Sequence, residues 1–175
     1  MGTHLNVEIK ARCVETAAVL QRLASLGGQT QGVDTQIDTY FRAASGRLKL
    51  RQGVIENHLI HYERIAQTGP KESVVALHPV LPEQSAGLRD LLASALGIAV
   101  VVSKRRHILW IDNVKFHVDT VEDLGAFVEV EAIDRLSDLG AARLREQCVR
   151  YVALLGIEEG DLEARSYSDL LAASG

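Results

Sequence analysis

Residues 114–132 read VKFHVDTVEDLGAFVEVEA, and the way they alternate decides the fold. Apolar and polar residues alternate twice around Glu122-Asp123-Leu124-Gly125, the pattern of a β-hairpin. Strand side chains point to opposite faces with period two. One face therefore holds Val114, Phe116, Val118, Val128, Val130 and Ala132 and is wholly apolar. The other holds Lys115, His117, Asp119, Phe127, Glu129 and Glu131. A three-residue loop, Asp123-Leu124-Gly125 with Gly125 left-handed, sets Asp119 opposite Glu129 and His117 opposite Glu131. Like charges placed opposite destabilise a strand pair. Three carboxylates on one face need either open water or a divalent cation, since hard cations take oxygen ligands from carboxylates and phosphates.

Upstream, a long strand runs from about Ile98 to Ile111 and turns at Asp112-Asn113, a pair suited to a two-residue hairpin. That turn pairs Ile111 with Val114, so Arg106 faces Asp119, Ile108 faces His117 and Lys104 faces Val121. Lys104 and Arg106 thereby join the acidic face, and Arg105 falls on the other side.

Earlier in the chain, Leu5 to Cys13 alternates, with Asn6, Glu8, Lys10 and Arg12 on one face and Leu5, Val7 and Ile9 on the other. Residues 15–26 carry Val19, Leu20, Leu23 and Leu26 at helical spacing and stop at Gly27-Gly28. Thr35 to Phe41 is a strand, and Arg47 to Arg51 another, with Arg47, Lys49 and Arg51 on one face. Three cations on one strand face repel unless an anion lies against them; a solvated edge is the alternative. His58 to Ile65 returns, with Tyr62 and Arg64 on one face, and Glu72 to Pro79 follows. Pro82 opens a helix with a Leu88, Leu91, Leu92, Ala95, Leu96 stripe, closed by Gly97. After the acidic hairpin, Leu136 to Leu155 is a helix buried through Leu144, Cys148, Val149, Val152 and Leu155. A last helix, near Glu163 to Ala173, carries Tyr167, Leu170 and Leu171.

The 175 residues, 47% apolar and 24% charged, suit one soluble domain, 1–175. A net charge of −4 gives no reason to expect nucleic-acid binding. No apolar run approaches the ~20 residues of a membrane span, and a signal-peptide plan is lacking. Cys13 and Cys148 offer neither a disulfide framework nor metal-ligand spacing. A cytoplasmic enzyme or binding protein is the expectation.

About eight amphipathic strands with hairpin links, and three or four helices, favour an α+β chain built on an antiparallel β-barrel or a strongly curved sheet, with the helices packed outside. If the charged faces looked outward, the apolar helix stripes would have little to cover. If they look inward, the helices cover the apolar faces and the barrel is a charged tunnel. Acids on one wall suit Mg²⁺ or Mn²⁺, and Arg and Lys on another suit a polyanion such as a triphosphate.

Five ordered blocks carry a family resemblance: Val7-Glu8-Ile9-Lys10, Gln36-x-Asp38-Thr39-Tyr40-Phe41, Gly46-Arg47-Leu48-Lys49-Leu50-Arg51, Lys104-Arg105-Arg106, and Asp119…Glu129-Val130-Glu131. They resemble the CYTH family of class IV adenylyl cyclases and thiamine triphosphatases, the triphosphate tunnel metalloenzymes. The resemblance implies an eight-stranded tunnel barrel with helices outside, and a reaction dependent on Mg²⁺ or Mn²⁺. Glu8, Asp119, Glu129 and Glu131 are then the metal ligands. Lys10, Lys49, Arg51, Lys104 and Arg106 grip phosphate, with Arg64 standing in for a tunnel lysine where this chain has Tyr62. The family's first glutamate is Asn6 here, which brings no charge.

Both family chemistries use the same parts, and Lys10 is the candidate base. The resemblance leans to adenylyl cyclase, converting ATP to cyclic AMP and pyrophosphate. Hydrolysis of tripolyphosphate or thiamine triphosphate is the alternative, and a non-catalytic nucleotide or polyphosphate binder is a third reading. The expected partner is thus a small triphosphate, with no nucleic acid and no membrane; a homodimer stays open.

Overall fold

A computed structural model describes residues 2–63, 69–136 and 138–173, with side chains from His4 onward. Eight strands form a closed barrel: β1 (Gly2–Arg12), β2 (Gln29–Phe41), β3 (Arg47–Gln52), β4 (His58–Tyr62), β5 (Lys71–Pro79), β6 (Ile98–Ile111), β7 (Val114–Val121) and β8 (Gly125–Asp134). Their order around the barrel is β1-β5-β4-β3-β2-β6-β7-β8, and each seam is antiparallel. Helices α1 (Thr16–Ser25), α2 (Pro82–Leu96), α3 (Gly140–Leu155) and α4 (Tyr167–Ala172) lie outside, with a 3₁₀ turn at Glu159–Asp161.

The polar faces look inward. The outward apolar residues Val7, Ile9, Phe116, Val130 and Ala132 pack with Leu23 of α1 and Leu144 and Cys148 of α3 in one buried cluster. Each such side chain taken from water contributes ~1.5–3 kcal/mol, so this helix-to-barrel layer, not the barrel's interior, is the hydrophobic core. Closure also removes the exposed edges that an open sheet would present. Among the described residues no helix is long and apolar enough to cross a membrane.

The β6–β7 hairpin has the expected register, Ile111 with Val114 and Arg106 with Asp119. The β7–β8 hairpin does not. Its loop is Glu122-Asp123-Leu124, with Val121 opposite Gly125, so Asp119 faces Phe127, His117 faces Glu129 and Lys115 faces Glu131. Gly125 keeps its positive φ of 90°, but Asp123 also takes one, 63°, and the three-residue loop lies one residue earlier. The shift preserves the face of every residue and removes the acid-on-acid pairing. Each glutamate now faces a basic side chain, as cross-strand electrostatics favours.

Other boundaries move too. β2 starts at Gln29, six residues before the expected Thr35, and crosses a bulge between Thr30 and Gly32. α3 starts at Gly140 and not at Leu136, because the Asp134 carboxylate accepts the backbone N–H groups of Asp138, Leu139 and Gly140, which seals the helix start. The last helix starts at Tyr167, where Ser166 and Asp169 form a reciprocal capping box. Two stripes were read too wide. Leu91 is 65% and Val149 54% exposed, since the barrel's curvature lets only part of each helix face touch it.

Candidate functional site

The tunnel encloses a cavity of ≈ 300 Å³, at the lower end of the ~300–1,000 Å³ of small-molecule sites. One wall is acidic. Pairing of β1 with β8 sets Glu8 directly against Glu131 and Lys10 against Glu129, and all four line the cavity. Burial would push the Glu131 carboxyl up, but His117 and Lys115 hold it below the usual range. Glu129 is likewise held well below by Arg106 and His117 against the effect of burial. Both acids are ionised at neutral pH. His117 Nδ1 sits 3.2 Å from Glu129 Oε2 and its Nε2 3.9 Å from Glu131 Oε2. Its bonded partner is therefore Glu129, not Glu131 as expected, and burial lowers its pKa.

Asp119 stands apart from this wall. Its oxygens accept from Arg106 Nε at 2.7 Å and Nη2 at 2.5 Å, and from the Tyr167 hydroxyl at 2.8 Å. It is wholly buried. Arg106 Nη2 also reaches Glu129 Oε2 at 2.8 Å.

The facing wall is basic and organised by Asp38, to which sequence reasoning gave no role. Arg51 donates to it through Nε (2.8 Å) and Nη2 (2.9 Å), Lys49 through Nζ at 2.8 Å, and Lys104 through Nζ at 2.7 Å. Against its burial, Arg51, Lys104 and Lys49 hold this carboxyl well below the usual range. Lys104 lies behind Asp38, fully buried, and burial lowers its pKa to about 7. Arg51 Nη1 reaches Glu56 at 2.7 Å, and Lys115 also donates to Glu56. These tunnel cations are thus compensated inside the molecule.

The two ends of the tunnel differ. At one end the C-terminal segment covers the opening. Lys10 Nζ donates to the Arg165 carbonyl at 3.1 Å and lies 4.2 Å from the Tyr167 ring centre. Lys71 Nζ donates to the carbonyls of Glu163 and Ala164, and Arg47 makes a two-pronged bond to Asp169, both at 2.9 Å. The other end is rimmed by His4, Gln31, Ile55, His58, Trp110 and Arg135. Here residues 53–56 fold over the rim because Asp34 accepts the backbone N–H groups of Val54 and Glu56. Gly53 permits this approach; a Cβ there would meet Asp34 Oδ2 at 2.5 Å.

Of the expected site residues, Glu8, Lys10, Lys49, Arg51, Arg106, Glu129 and Glu131 line one cavity. Asp119 and Lys104 sit behind its walls, bonded to other tunnel residues. Arg64 lies outside the described residues. Reading the sequence missed Asp38, Glu56, Tyr167 and Trp110 as parts of the site. Asp38 had a signal, since it falls on the inward face of β2 with Asp34, Gln36 and Tyr40. Glu56, in an aperiodic loop, had none.

Among the described residues no three His, Cys, Asp or Glu side chains stand as a ready metal cage. The donors nonetheless fit a hard cation. Asn6 Nδ2 donates to Glu131 Oε1 at 2.5 Å, and Asn6 Oδ1 is buried without a hydrogen-bond partner, an oxygen beside Glu131 with lone pairs to spare. With Glu8 and Glu131 it offers the all-oxygen set that Mg²⁺ or Mn²⁺ prefers. The fit favours Glu8 and Glu131 over Asp119, whose oxygens are already taken.

Comparison with known proteins agrees with this architecture. A family model described as the CYTH domain matches residues 4–167. Among curated proteins no sequence matches the chain. The PH1012 protein of Pyrococcus horikoshii superposes with a TM-score of 0.78 at 24% identity, over 94% of this chain and 98% of its own. A candidate adenylate cyclase of Vibrio parahaemolyticus gives 0.74 at 18%, over 98% and 99%. A Hippeastrum protein, a candidate adenylyl cyclase described as having a dominant triphosphatase activity, gives 0.66 at 12%, over 98% and 96%. At these identities the likeness shows the fold.

Proposed function

This chain belongs to the CYTH domain family, and on that footing we propose that it is a divalent-metal-dependent enzyme acting on a small triphosphate, with adenylyl cyclase as the leading reaction. The observation that carries the reading is one cavity lined by Glu8, Glu129 and Glu131 and by Lys49, Arg51 and Arg106, with Arg106 bonded to Glu129. Glu8 and Glu131, with the Asn6 carbonyl and a share of Glu129, would hold Mg²⁺ or Mn²⁺. When bound, the ion supplies charge stabilisation at the phosphoryl oxygens.

The chain's own residues do the rest. Arg51 and Arg106 stay charged at any working pH and offer planar forks that match phosphate oxygens. Each charge-assisted hydrogen bond is worth ~1.5–3 kcal/mol. To use them, a triphosphate takes over the hydrogen bonds that Asp38 and Glu129 now receive, so these carboxylates hold the cations in place between turnovers. Phosphoryl transfer needs mainly positioning and electrostatics, which fits a rigid barrel. Lys10 is the candidate base. Burial lowers its pKa, and Glu129 partly offsets this; an amine shifted in that direction gives up its proton more readily than an exposed lysine.

In a cyclase, a ribose 3′-hydroxyl attacks the α-phosphorus and pyrophosphate leaves. In a triphosphatase, water attacks the terminal phosphorus and orthophosphate leaves. The triphosphatase named for the Hippeastrum protein, which shares the fold, keeps hydrolysis as the second reading. A cytoplasmic location fits the two buried free cysteines. The test is product analysis with ATP, tripolyphosphate and thiamine triphosphate in Mg²⁺ or Mn²⁺. Cyclic AMP with pyrophosphate supports the cyclase; orthophosphate alone moves the assignment to triphosphatase. No product, with clear thermal stabilisation by tripolyphosphate, leaves a binder.

A further inference from the structure

The two tunnel ends are chemically unlike, and the difference bears on what a triphosphate is attached to. The end covered by the C-terminal segment is lined by carbonyls, hydroxyls and the buried Lys10 and Lys71. The rimmed end carries aromatic rings beside polar and basic side chains. Trp110 sits there at the end of β6, half-buried and lining the cavity that Ile55, His58 and Leu77 also line. Its orientation is set by a built contact. The bulge in β2 leaves Gln31 out of the β6 ladder, and Gln31 Oε1 accepts from Trp110 Nε1 at 2.9 Å. Bulges commonly re-aim a side chain beside a site. Gly32 takes a φ of 143° at that bulge, and a Cβ there would meet Ile55 Cδ1 at 2.8 Å, so the same kink keeps Ile55 over the rim.

We propose that this rim is a binding subsite for an uncharged aromatic ring carried on the triphosphate, with Trp110 as its platform and Gln31 as the residue that positions it. The inference rests on the tunnel being a triphosphate site and goes further by naming what lies beyond the phosphates. The charge at the rim selects the ring. The Arg135 guanidinium lies 5.2 Å and Lys115 Nζ 5.3 Å from the Trp110 ring centre. Lys115 is paired with Glu56, whereas Arg135 forms no ion pair with a described carboxylate. His58 has its pKa lowered mainly by burial, so it presents a neutral ring. An electron-rich, neutral heteroaromatic ring such as a purine stacks well on indole and guanidinium planes. A cationic ring, such as the thiazolium of thiamine, meets Arg135 with like charge. Bare tripolyphosphate leaves the rim unfilled.

Trp110 is the chain's single tryptophan, so its fluorescence reports this rim alone. The experiment is rapid mixing of the protein, in Mg²⁺, with ATP, thiamine triphosphate and tripolyphosphate, following emission and fitting a Kd for each; thermal shift supplies Kd where emission is silent. ATP should change the emission and bind about tenfold more tightly than tripolyphosphate, as one base–aromatic stack allows. Tripolyphosphate should bind with little spectral change, and thiamine triphosphate should bind no better than tripolyphosphate. Gln31→Ala should shrink the ATP preference, and Arg135→Glu should narrow the gap between ATP and thiamine triphosphate. If all three ligands bind equally and none alters the emission, the rim subsite is wrong and the tunnel reading stands. If thiamine triphosphate binds most tightly, the choice of a neutral ring is wrong. If none binds, the triphosphate tunnel itself is wrong, and the subsite falls with it.

Discussion

Arg106 grips Asp119 with two parallel hydrogen bonds, 2.7 Å from Nε and 2.5 Å from Nη2, deep behind the tunnel wall. Fork-to-fork geometry of this kind fixes both side chains. Asp119 therefore acts as the splint that presents Arg106 to the cavity, with Tyr167 bonded to its second oxygen. Removing one partner of a buried pair strands the other charge and costs ~3–5 kcal/mol. Asp119→Ala should accordingly lower stability by about that much in urea titrations. Its loss of Mn²⁺ affinity should be smaller than that of Glu131→Gln. Equal loss of Mn²⁺ affinity in the two variants would make Asp119 a direct ligand.

Asp38 receives three cations on one carboxylate. In Asp38→Asn those cations are left facing one another, so the free protein should lose several kcal/mol, of the order found when buried pairs are broken. A polyanion can take the vacated role. Melting with and without tripolyphosphate should then give a larger ligand-induced rise in Tm for Asp38→Asn than for the natural chain. A smaller rise would mean that Asp38 helps to hold the phosphates and is not displaced by them.

Glu129→Gln and Glu131→Gln remove a negative charge from the acidic wall with little change of shape. Each should reduce turnover by at least about 10²-fold, the scale of losing one electrostatic contact in a preorganised site, with the circular dichroism unchanged. Chelation of the metal by EDTA should abolish turnover of the natural chain. Retained turnover in both variants would remove the acidic wall from the chemistry.

Asn6→Glu adds an acid beside Glu131, against which Asn6 now donates a hydrogen bond. The metal-free variant should melt lower through like-charge repulsion, and Mg²⁺ should raise its Tm by more than it raises that of the natural chain. An unchanged Mg²⁺ response would place the ion away from this corner.

Lys104 binds its proton more weakly in the folded barrel, at about 7, than the ~10.4 of an exposed lysine. Between those values the unfolded chain holds more protons, so this group's contribution to stability rises with pH. Lys104→Met should flatten the rise measured from pH 7 to about 8.5; the two thiols, which ionise at ~8.5 in the unfolded chain and are held up by burial in the folded one, oppose that rise equally in both proteins. Lys10, shifted in the same direction, leaves a residual slope. Parallel stability profiles for the two proteins over that range would mean that Lys104 titrates normally.

How much was legible in the sequence depended on how local each cause is. The β6–β7 hairpin could be read to the residue because Asp112-Asn113 admits few turns. The β7–β8 register slipped because Asp123 adopted a left-handed conformation that its residue type permits without requiring. The inward orientation of the charged faces was legible because the helix stripes demanded an apolar surface to cover. The pairing inside the tunnel was not. Asp38 meets cations from β3 and β6, and Glu56 meets one from β7, through closure of the whole barrel, and no sequence spacing records those distances. The C-terminal segment was read only as a packing helix, since the cavity-facing Tyr167 shares an apolar pattern with Leu170 and Leu171.

The seam between β1 and β8 has a consequence for how the chain reaches this state. Glu8 and Lys10, near the start, meet Glu131 and Glu129, near the end, so the acidic wall straddles the last join to close. Contacts between residues so distant in sequence slow folding, because the loop-closure entropy precedes the reward. A nascent chain that has not yet released β8 from the ribosome has half a wall and no cation site. A cation held as proposed by Glu8 and Glu131 would find its ligands only in the finished barrel, and by binding there it would act as a clasp on a contact between the two ends of the chain.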